Sequence, residues 1–341
     1  MKPLLRVLGG TAVWPPPMWL MRQAGRYLPE YRAIRGQAGD FIALCTAPAL
    51  AAEVTLQPVR RYRFDGAILF SDILMVPWGL GHGLRYAEGE GPVLPKLTDD
   101  AGVDALSIDR LAQAIGPILE TVGRVRAGLA AEGFAQTALI GFAGSPFTVA
   151  CYMIEGGGSK DFAATRRMAF AEPALFARLI AVLTEASIVY LAAQIEAGAE
   201  VAMVFGSWDG VLPPSLFRQH AIAPVKRIVS ALRARFPAVP VIGFPRLSGG
   251  LLGEYVISTG VHAVGLDTGT DPTRAVPAGV AVQGNLDPMA LLAGGAALVS
   301  ETAGVLDALR GRAAIFNLGH GIVPQTPPEH VAALVAQVRK G

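Results

Sequence analysis

The chain has 341 residues, of which 52% are hydrophobic and 16% charged. This composition excludes an intrinsically disordered protein, because disordered chains combine low hydrophobicity with high net charge. The 29 basic and 27 acidic side chains give a formal net charge of +2, without the basic excess typical of nucleic-acid-binding proteins. We therefore expect no nucleic acid partner.

The cysteines and the uncharged segments indicate a protein of the cytoplasm. Cys45 and Cys151 are too few for a disulfide framework, and no apolar region of a signal peptide follows Lys2. Residues 133–154 carry no charge and are long enough to span a membrane. Their internal glycines and Pro146 are more typical of a strand and its loop, so we expect no membrane contact.

Short apolar runs that end in Gly, Pro, Ser or Asp recur along the chain. Runs of this length are typical of strands that are buried on both faces of a parallel sheet. In chain order, the predicted strands are residues 18–21, 67–70, 138–142, 201–205, 239–244, 263–267, 280–285 and 315–318.

Longer stretches with helical character lie between these runs and after the last one. Residues 173–197 have apolar side chains at i, i+3 and i+4 spacing, and residues 213–236 begin with prolines, which the first turn of a helix tolerates. The other predicted helices are residues 47–61, 107–131 and 327–339. Eight strands alternating with helices predict an α/β fold, a single (β/α)₈ TIM barrel over residues 1–341. A doubly wound open sheet stays the alternative.

Polar residues beside glycine or proline follow nearly all of the predicted strands. In a barrel these segments converge on the C-terminal rim, where active sites lie. Arg22 and Arg26 follow the first strand and can hold carboxylates bidentately, although a solvated surface pair is the alternative.

Four further residues are candidates for the same rim. Asp72 follows the second strand, either as a helix cap or as a functional anion that acts as a base or stabilises a developing cation. Tyr152 is either a core aromatic residue or a hydroxyl donor, and Ser207 supplies a second hydroxyl. His320 lies between two glycines, which allow close approach of a ligand.

Sequence motifs for cofactors and metals are absent. The chain has no GxGxxG after its first strand, no GxxxxGK[ST], no HExxH and no GxSxG. We therefore predict an enzyme that works without a bound cofactor or metal.

Several blocks of the sequence resemble the uroporphyrinogen decarboxylase family. The longest is MRQAGRYLPEYR at residues 21–32; the others are FSDIL at 70–74, GFAGSPFT at 141–148, CYMIEG at 151–156, QGNLDP at 283–288 and FNLGHGI at 316–322. The resemblance extends from about Trp19 to the C-terminus.

The resemblance implies a cytoplasmic, homodimeric lyase of haem biosynthesis that needs no cofactor. Such an enzyme removes CO₂ from the four acetate side chains of uroporphyrinogen III and yields coproporphyrinogen III. Carried over residue by residue, Asp72 and Arg22 would be catalytic, with Asp72 facing the pyrrole N–H groups of the macrocycle. The implied substrate-binding residues are Arg22, Gln23, Ala24, Gly25, Arg26, Asp72, Tyr152, Ser207 and His320.

The chain departs from the family pattern at three places. Gly206 stands where the family usually has Asp, while Asp209 follows the Ser-Trp pair. Leu247 stands where Gly is usual, and Thr268 where Trp is usual.

Two other functions stay open from the sequence. One is a zinc-dependent methyltransferase acting on a corrinoid or a thiol, whose relatives hold zinc with a His-x-Cys pair; here His262 is followed by Val264 at the Cys position. The other is a non-catalytic barrel that binds a tetrapyrrole.

Overall fold

The computed structural model describes residues 1–87, 91–273, 276–277 and 279–341. Its strands are β1 Gly66–Ile68, β2 Arg85–Ala87, β3 Gly91–Val93, β4 Ala138–Gly144, β5 Val201–Gly206, β6 Val241–Pro245, β7 Ala263–Gly265, β8 Ala281–Leu286 and β9 Ala314–Leu318. Seven of them form one parallel sheet in the order β1-β4-β5-β6-β7-β8-β9, and β2 and β3 form an antiparallel hairpin.

Helices lie before the first strand of the sheet, between its strands and after its last strand. They are α1 Pro3–Leu8, α2 Pro29–Gln37, α3 Phe41–Cys45, α4 Pro48–Tyr62, α5 Met75–Gly79, α6 Asp100–Asp104, α7 Ile108–Ala114, α8 Gly116–Ala131, α9 Pro146–Glu155, α10 Ala163–Ala171, α11 Pro173–Ala197, α12 Pro214–Phe217, α13 Ala223–Arg235, α14 Leu252–Thr259, α15 Pro288–Ala293, α16 Gly295–Leu309 and α17 Pro328–Lys340.

The segment before α2 closes the sheet into a barrel. On one side, Phe316 N donates to Pro17 O at 2.9 Å and Met18 pairs with Phe316 in parallel. On the other side, Asp65 N donates to Met18 O at 2.9 Å. Because this segment bonds to both edges of the seven-stranded sheet, the predicted TIM-barrel fold is confirmed and the open sheet is wrong.

Seven of the eight predicted strands are present, because their apolar runs are buried on both faces, whereas residues 18–21 form only an isolated bridge at Met18. All seven residues of β4 and all five of β6 are buried. The last predicted strand, residues 315–318, matches β9 to within one residue.

The helix predictions are confirmed with differences inside two of them. The bounds of α11 are the predicted ones. Residues 107–131 divide into α7 and α8, where Pro117 lies in the first turn of α8. Residues 213–236 contain a π-helical turn at Arg218–Ile222 between α12 and α13.

The uncharged segment at residues 133–154 forms β4, as expected, and most of α9, so the expected loop is instead a helix. Within the described residues, α11 alone is long and apolar enough to cross a membrane, and 56% of its most apolar window is buried in the molecule. It packs against α8, α9 and α13, as a core helix does.

Candidate active site

A cavity of about 1100 Å³ opens at the C-terminal ends of the barrel strands. Eight of the nine predicted site residues line it: Arg22, Ala24, Gly25, Arg26, Asp72, Tyr152, Ser207 and His320. The barrel therefore brings together residues that lie almost 300 positions apart in the chain, on the predicted rim.

Gln23 is the exception, because its side chain belongs to the barrel wall. Its Oε1 accepts from Leu20 N at 3.1 Å and its Nε2 donates to Gly66 O at 3.1 Å. Gln23 is fully buried and does not line the cavity. The geometry therefore assigns this side chain to barrel closure instead of substrate contact.

Arg22 takes its position from an unusual backbone conformation and from a glycine in the segment after β9. Its φ is +61°, in the left-handed region that non-glycine residues rarely adopt. A Cβ at Gly321 would overlap Arg22 Cδ, so the glycine after His320 leaves room for the arginine side chain. Gly321, which the sequence predicts to allow close approach of a ligand, thus makes room for the side chain of Arg22.

Three arginines of the cavity lining lack an acidic partner. Arg22, Arg26 and Arg35 form no ion pair within the described part of the chain. A nearby fourth arginine, Arg32, instead donates to the backbone carbonyls of Arg26 and Tyr27 at 2.8 and 3.2 Å. The cavity wall therefore presents unneutralised guanidinium groups, which suits an anionic ligand.

Asp72 lines the cavity four residues after the end of β1. Leu74 N donates to its Oδ1 at 2.8 Å, and the N-cap of α5 is Leu74, so Asp72 does not cap that helix. Burial raises the pKa of Asp72, against the opposing effects of the Leu74 N–H group, Tyr86 and Arg22. A carboxylate held in this way can face a cation formed in the cavity.

Tyr86 is a lining residue that the sequence did not reveal. It lies on β2, and its buried hydroxyl has no well-aligned hydrogen bond within the described residues. Burial and the neighbouring Asp72 both raise the pKa of Tyr86. No local pattern marks it, because a three-residue strand carries too little periodicity.

Tyr152 and Trp208 form another part of the lining. Tyr152 lies on α9, and burial raises the pKa of its hydroxyl, while Trp208 and Arg22 oppose that shift. The face of Trp208 meets the guanidinium of Arg246 at 5.6 Å. Trp208 lines the cavity without having been predicted, although it directly follows Ser207.

His320 lies in the cavity as a neutral imidazole. Burial, Arg22 and Arg246 lower its pKa to about 4, while Asp267 acts in the opposite direction. At neutral pH the ring therefore offers one donor and one acceptor and carries no charge.

Comparison with known proteins places the chain among its relatives. A family profile described as "Uroporphyrinogen decarboxylase (URO-D)" matches residues 1–341. The chain belongs to this family. The protein named uroporphyrinogen decarboxylase from Granulibacter bethesdensis is 60% identical over 341 residues, covering 99% of both chains. Its namesake from Acidiphilium cryptum is also 60% identical, covering 99% of this chain and 94% of the relative.

A solved structure gives the same fold. A methyltransferase from Methanosarcina mazei superposes with a TM-score of 0.79 at 20% identity, covering 99% of this chain and 97% of the other. At that identity the likeness shows the fold alone.

The described residues contain no set of zinc ligands of the kind that a zinc-dependent methyltransferase would need. His262 Nδ1 accepts from Val241 N at 3.0 Å and so faces the neighbouring strand. Across the described ranges, no three His, Cys, Asp or Glu side chains lie together as a metal ion would require.

The departures from the family pattern occur where neighbouring rim loops touch. Leu247 has a φ of +62°, the conformation that favours glycine, and its N–H donates to Asp267 Oδ2. A Cβ at Gly319 would overlap the backbone of Thr268. The side chain of Asp209 fills the space beside Gly206.

Proposed function

We propose that the chain is a uroporphyrinogen decarboxylase that converts uroporphyrinogen III to coproporphyrinogen III. The observation that carries this proposal is a cavity of about 1100 Å³ in which Arg22, Arg26 and Arg35 form no ion pair within the described residues and which the half-buried Asp72 carboxylate also lines. The substrate has the complementary chemistry: carboxylate side chains around its edge and pyrrole N–H groups at its centre.

The reaction needs a place for the electrons released with CO₂. Protonation of a pyrrole ring carbon makes that ring a cation, and the C–C bond of the acetate then breaks with its electron pair entering the ring. CO₂ leaves, the exocyclic carbon takes up a proton to become a methyl group, and the ring carbon releases the proton that it gained, which restores the neutral pyrrole. The substrate is thus its own electron sink, and we propose that no cofactor takes part.

Asp72 is proposed to accept hydrogen bonds from the pyrrole N–H groups and to stabilise the ring cation. A fixed anion in a water-poor cavity does this without reorganisation during the reaction. Burial raises the pKa of Asp72, because its carboxylate is poorly solvated when ionised. A cationic pyrrole ring beside it would therefore stabilise the ionised carboxylate as well as being stabilised by it.

The remaining lining residues are proposed to orient the macrocycle. Arg22 and Arg26 bind carboxylates, with Ala24 and Gly25 forming the backbone between them. Tyr152, Ser207 and the neutral His320 supply hydrogen bonds at other points of the rim. A guanidinium is a poor acid, so carboxylate binding is the principal role of Arg22 and it organises proton delivery only through its neighbours.

The test is anaerobic incubation of the purified protein with uroporphyrinogen III and a chelator, followed by counting the carboxylates of the product. Loss of all four acetate carboxylates with release of CO₂ is the expected result. Binding of the tetrapyrrole without loss of CO₂ would overturn the proposal in favour of the non-catalytic barrel.

The family resemblance also implies a homodimer in the cytoplasm, and we propose both. Sedimentation equilibrium over a range of concentrations should give twice the mass of one chain. A monomer mass at every concentration would contradict the dimer.

A further inference from the structure

Asp209 is a fully buried carboxylate that the proposed reaction does not use. It follows Ser207 and Trp208 at the end of β5, where it begins a short 3₁₀ turn at Asp209–Val211. Its Oδ1 accepts from Ser145 Oγ at 2.6 Å and from Thr148 Oγ1 at 3.2 Å. Its Oδ2 has no hydrogen-bond partner within the described part of the chain.

These hydrogen bonds join two rim segments that line the cavity. Ser145 caps α9, and Thr148 lies in the first turn of that helix. Thr148 Oγ1 also accepts from Trp208 N at 3.2 Å, so the Asp209 carboxylate and the Trp208 backbone meet at one hydroxyl. Tyr152 lies four residues after Thr148, on the same face of α9.

The volume beside Gly206 is filled by the Asp209 carboxylate. A Cβ built at Gly206 would overlap Asp209 Oδ2 and lie 2.5 Å from Asp209 Cγ. Gly206 does not have a positive φ, so its backbone accepts a side chain, and the obstacles are the carboxylate and the carbonyl of Phe244 at 3.0 Å. A carboxylate attached at position 206 would therefore enter the volume that Asp209 now fills.

We infer that Asp209 is a positioning residue: its carboxylate fixes Ser207, Trp208 and, through Thr148, Tyr152 in the cavity. An aspartate at position 206 can supply the same carboxylate in its place. This inference rests on the proposed function for its kinetic consequences. A residue with only a general stabilising role would not be replaceable from a different backbone position.

The test moves the carboxylate between the two positions. Asp209→Gly should lower kcat/KM for uroporphyrinogen III by about 100-fold, the effect expected of groups misplaced by about 1 Å. Gly206→Asp alone should lower the melting temperature, because two carboxylates would compete for one volume. The double variant Gly206→Asp/Asp209→Gly should recover most of the lost kcat/KM.

Two further variants keep the test decisive if Asp209→Gly does not fold. Asp209→Asn retains an oxygen acceptor for Ser145 and Thr148, so it should keep the kcat/KM of the parent, and a loss as large as that expected of Asp209→Gly would overturn the inference. Asp99→Asn, at an exposed helix cap where Gly102 N donates to Asp99 Oδ1 at 2.8 Å, is the matched control and should leave both kcat and KM unchanged.

A readout without substrate separates this inference from the proposed function. In protein labelled with 5-fluorotryptophan, the ¹⁹F signal of Trp208 is assigned with Trp208→Phe. Asp209→Gly should shift that signal and the double variant should return it, whether or not the protein decarboxylates uroporphyrinogen III. A double variant that folds but retains both the kinetic defect and the shifted signal would overturn the inference, as would full activity in Asp209→Gly.

Discussion

Backbone features within the motifs hold the side chains of the proposed site. Arg22 depends on its left-handed φ and on the space left by Gly321, and Asp72 depends on the N–H group of Leu74. The residue types and their places after strands were predictable, because parallel strands in a barrel end on one rim. The direction of each side chain was not, as Gln23 shows: it stands between Arg22 and Ala24 but turns into the barrel wall.

Asp72→Asn should fold normally and lose decarboxylation. Asparagine keeps the shape and an oxygen acceptor, but it cannot supply the negative charge that stabilises a ring cation. We expect kcat to fall by about 10²- to 10³-fold, the cost of removing one preorganised electrostatic group. Release of CO₂ under anaerobic conditions is the measurement, and a variant with the kcat of the parent would contradict the mechanism.

Arg22→Lys should weaken substrate binding more than it slows chemistry. An ammonium is a point charge and cannot form the paired hydrogen bonds that a guanidinium makes to a carboxylate. KM should rise by about tenfold, which corresponds to about 1.4 kcal/mol. Arg124→Lys, at an exposed arginine that pairs with Glu120, is the matched control, and equal KM values for both variants would refute the assigned role.

Leu247→Gly should leave the protein as stable as before or stabilise it. A left-handed conformation costs an L-residue about 1–2 kcal/mol, whereas glycine adds about 0.5–1 kcal/mol of unfolded-state entropy. Leu247 is half exposed, so little packing is lost. Urea unfolding should show the free energy of unfolding unchanged or higher by up to about 1 kcal/mol.

Ile257→Gly is the control for Leu247→Gly, because Ile257 is more exposed and lies in helix α14. This change should cost about 1 kcal/mol. Equal losses at positions 247 and 257 would show that the φ at Leu247 carries no strain.

Connections between rim loops determine the geometry of the site at the level of secondary structure elements. Gly210 N donates to Arg246 O at 3.1 Å, Leu247 N to Asp267 Oδ2, and Asn285 Nδ2 to Asp267 O at 2.7 Å. The turns after β5, β6 and β7 and the end of β8 are thereby joined in sequence around the rim. A change in one turn is transmitted to its neighbours through these bonds.

Long elements were predictable and short ones were not. The 25 residues of α11 repeat their apolar spacing often enough to define both ends. The hairpin of β2 and β3 has three residues in each strand, too few to show alternation, yet it carries Tyr86 into the cavity. Its pairing depends on contacts with other elements, which a local sequence pattern does not contain.

Gln23→Ala should destabilise the barrel. The change leaves the buried Leu20 N–H and the Gly66 carbonyl without their partner, at a cost of about 2 kcal/mol or more. Thermal unfolding measures this loss, and Gln113→Ala on the exposed face of α7 is the control. A rise in KM without loss of stability would instead support the substrate contact first expected of Gln23.

For the molecule as a whole, the net charge of +2 conceals a strongly uneven distribution. Arg22, Arg26 and Arg35 concentrate positive charge at one mouth of the barrel, although the chain is almost neutral. Composition excluded a general polyanion binder, but only the fold shows which arginines share a surface. The barrel itself was predictable, because eight buried runs alternating with helices have few closed arrangements.

Buried Asp209 should make stability depend on pH. Burial raises its pKa to about 7, whereas an unfolded aspartate titrates near 3.9. The folded state therefore binds the proton more tightly, and this contribution to stability is complete below about pH 4 and lost as the pH rises through about 7. A shift of three units corresponds to at most about 4 kcal/mol.

The comparison of Asp209→Asn with the parent isolates this contribution, because His220 and His320, whose lowered pKa values act in the opposite direction, are present in both. Between pH 4 and pH 8 the parent should lose stability relative to the variant, as measured by urea unfolding at each pH. Parallel stability curves would show that the carboxylate does not titrate in this range.

The segment that closes the barrel leads directly into Arg22 and Arg26, two of the arginines that line the cavity. Met18 bonds to Asp65 at one edge of the sheet, and its neighbours Pro17 and Trp19 bond to Phe316 at the other edge. Arg22 follows Met18 by four residues. If residues 17–21 separate from the sheet, Arg22 and Arg26 lose their positions in the cavity lining. A bound anion therefore stabilises the closed barrel by mass action, because it binds only when these residues are paired with the sheet. It should slow amide exchange at Phe316 and Asp65, which do not themselves contact the ligand.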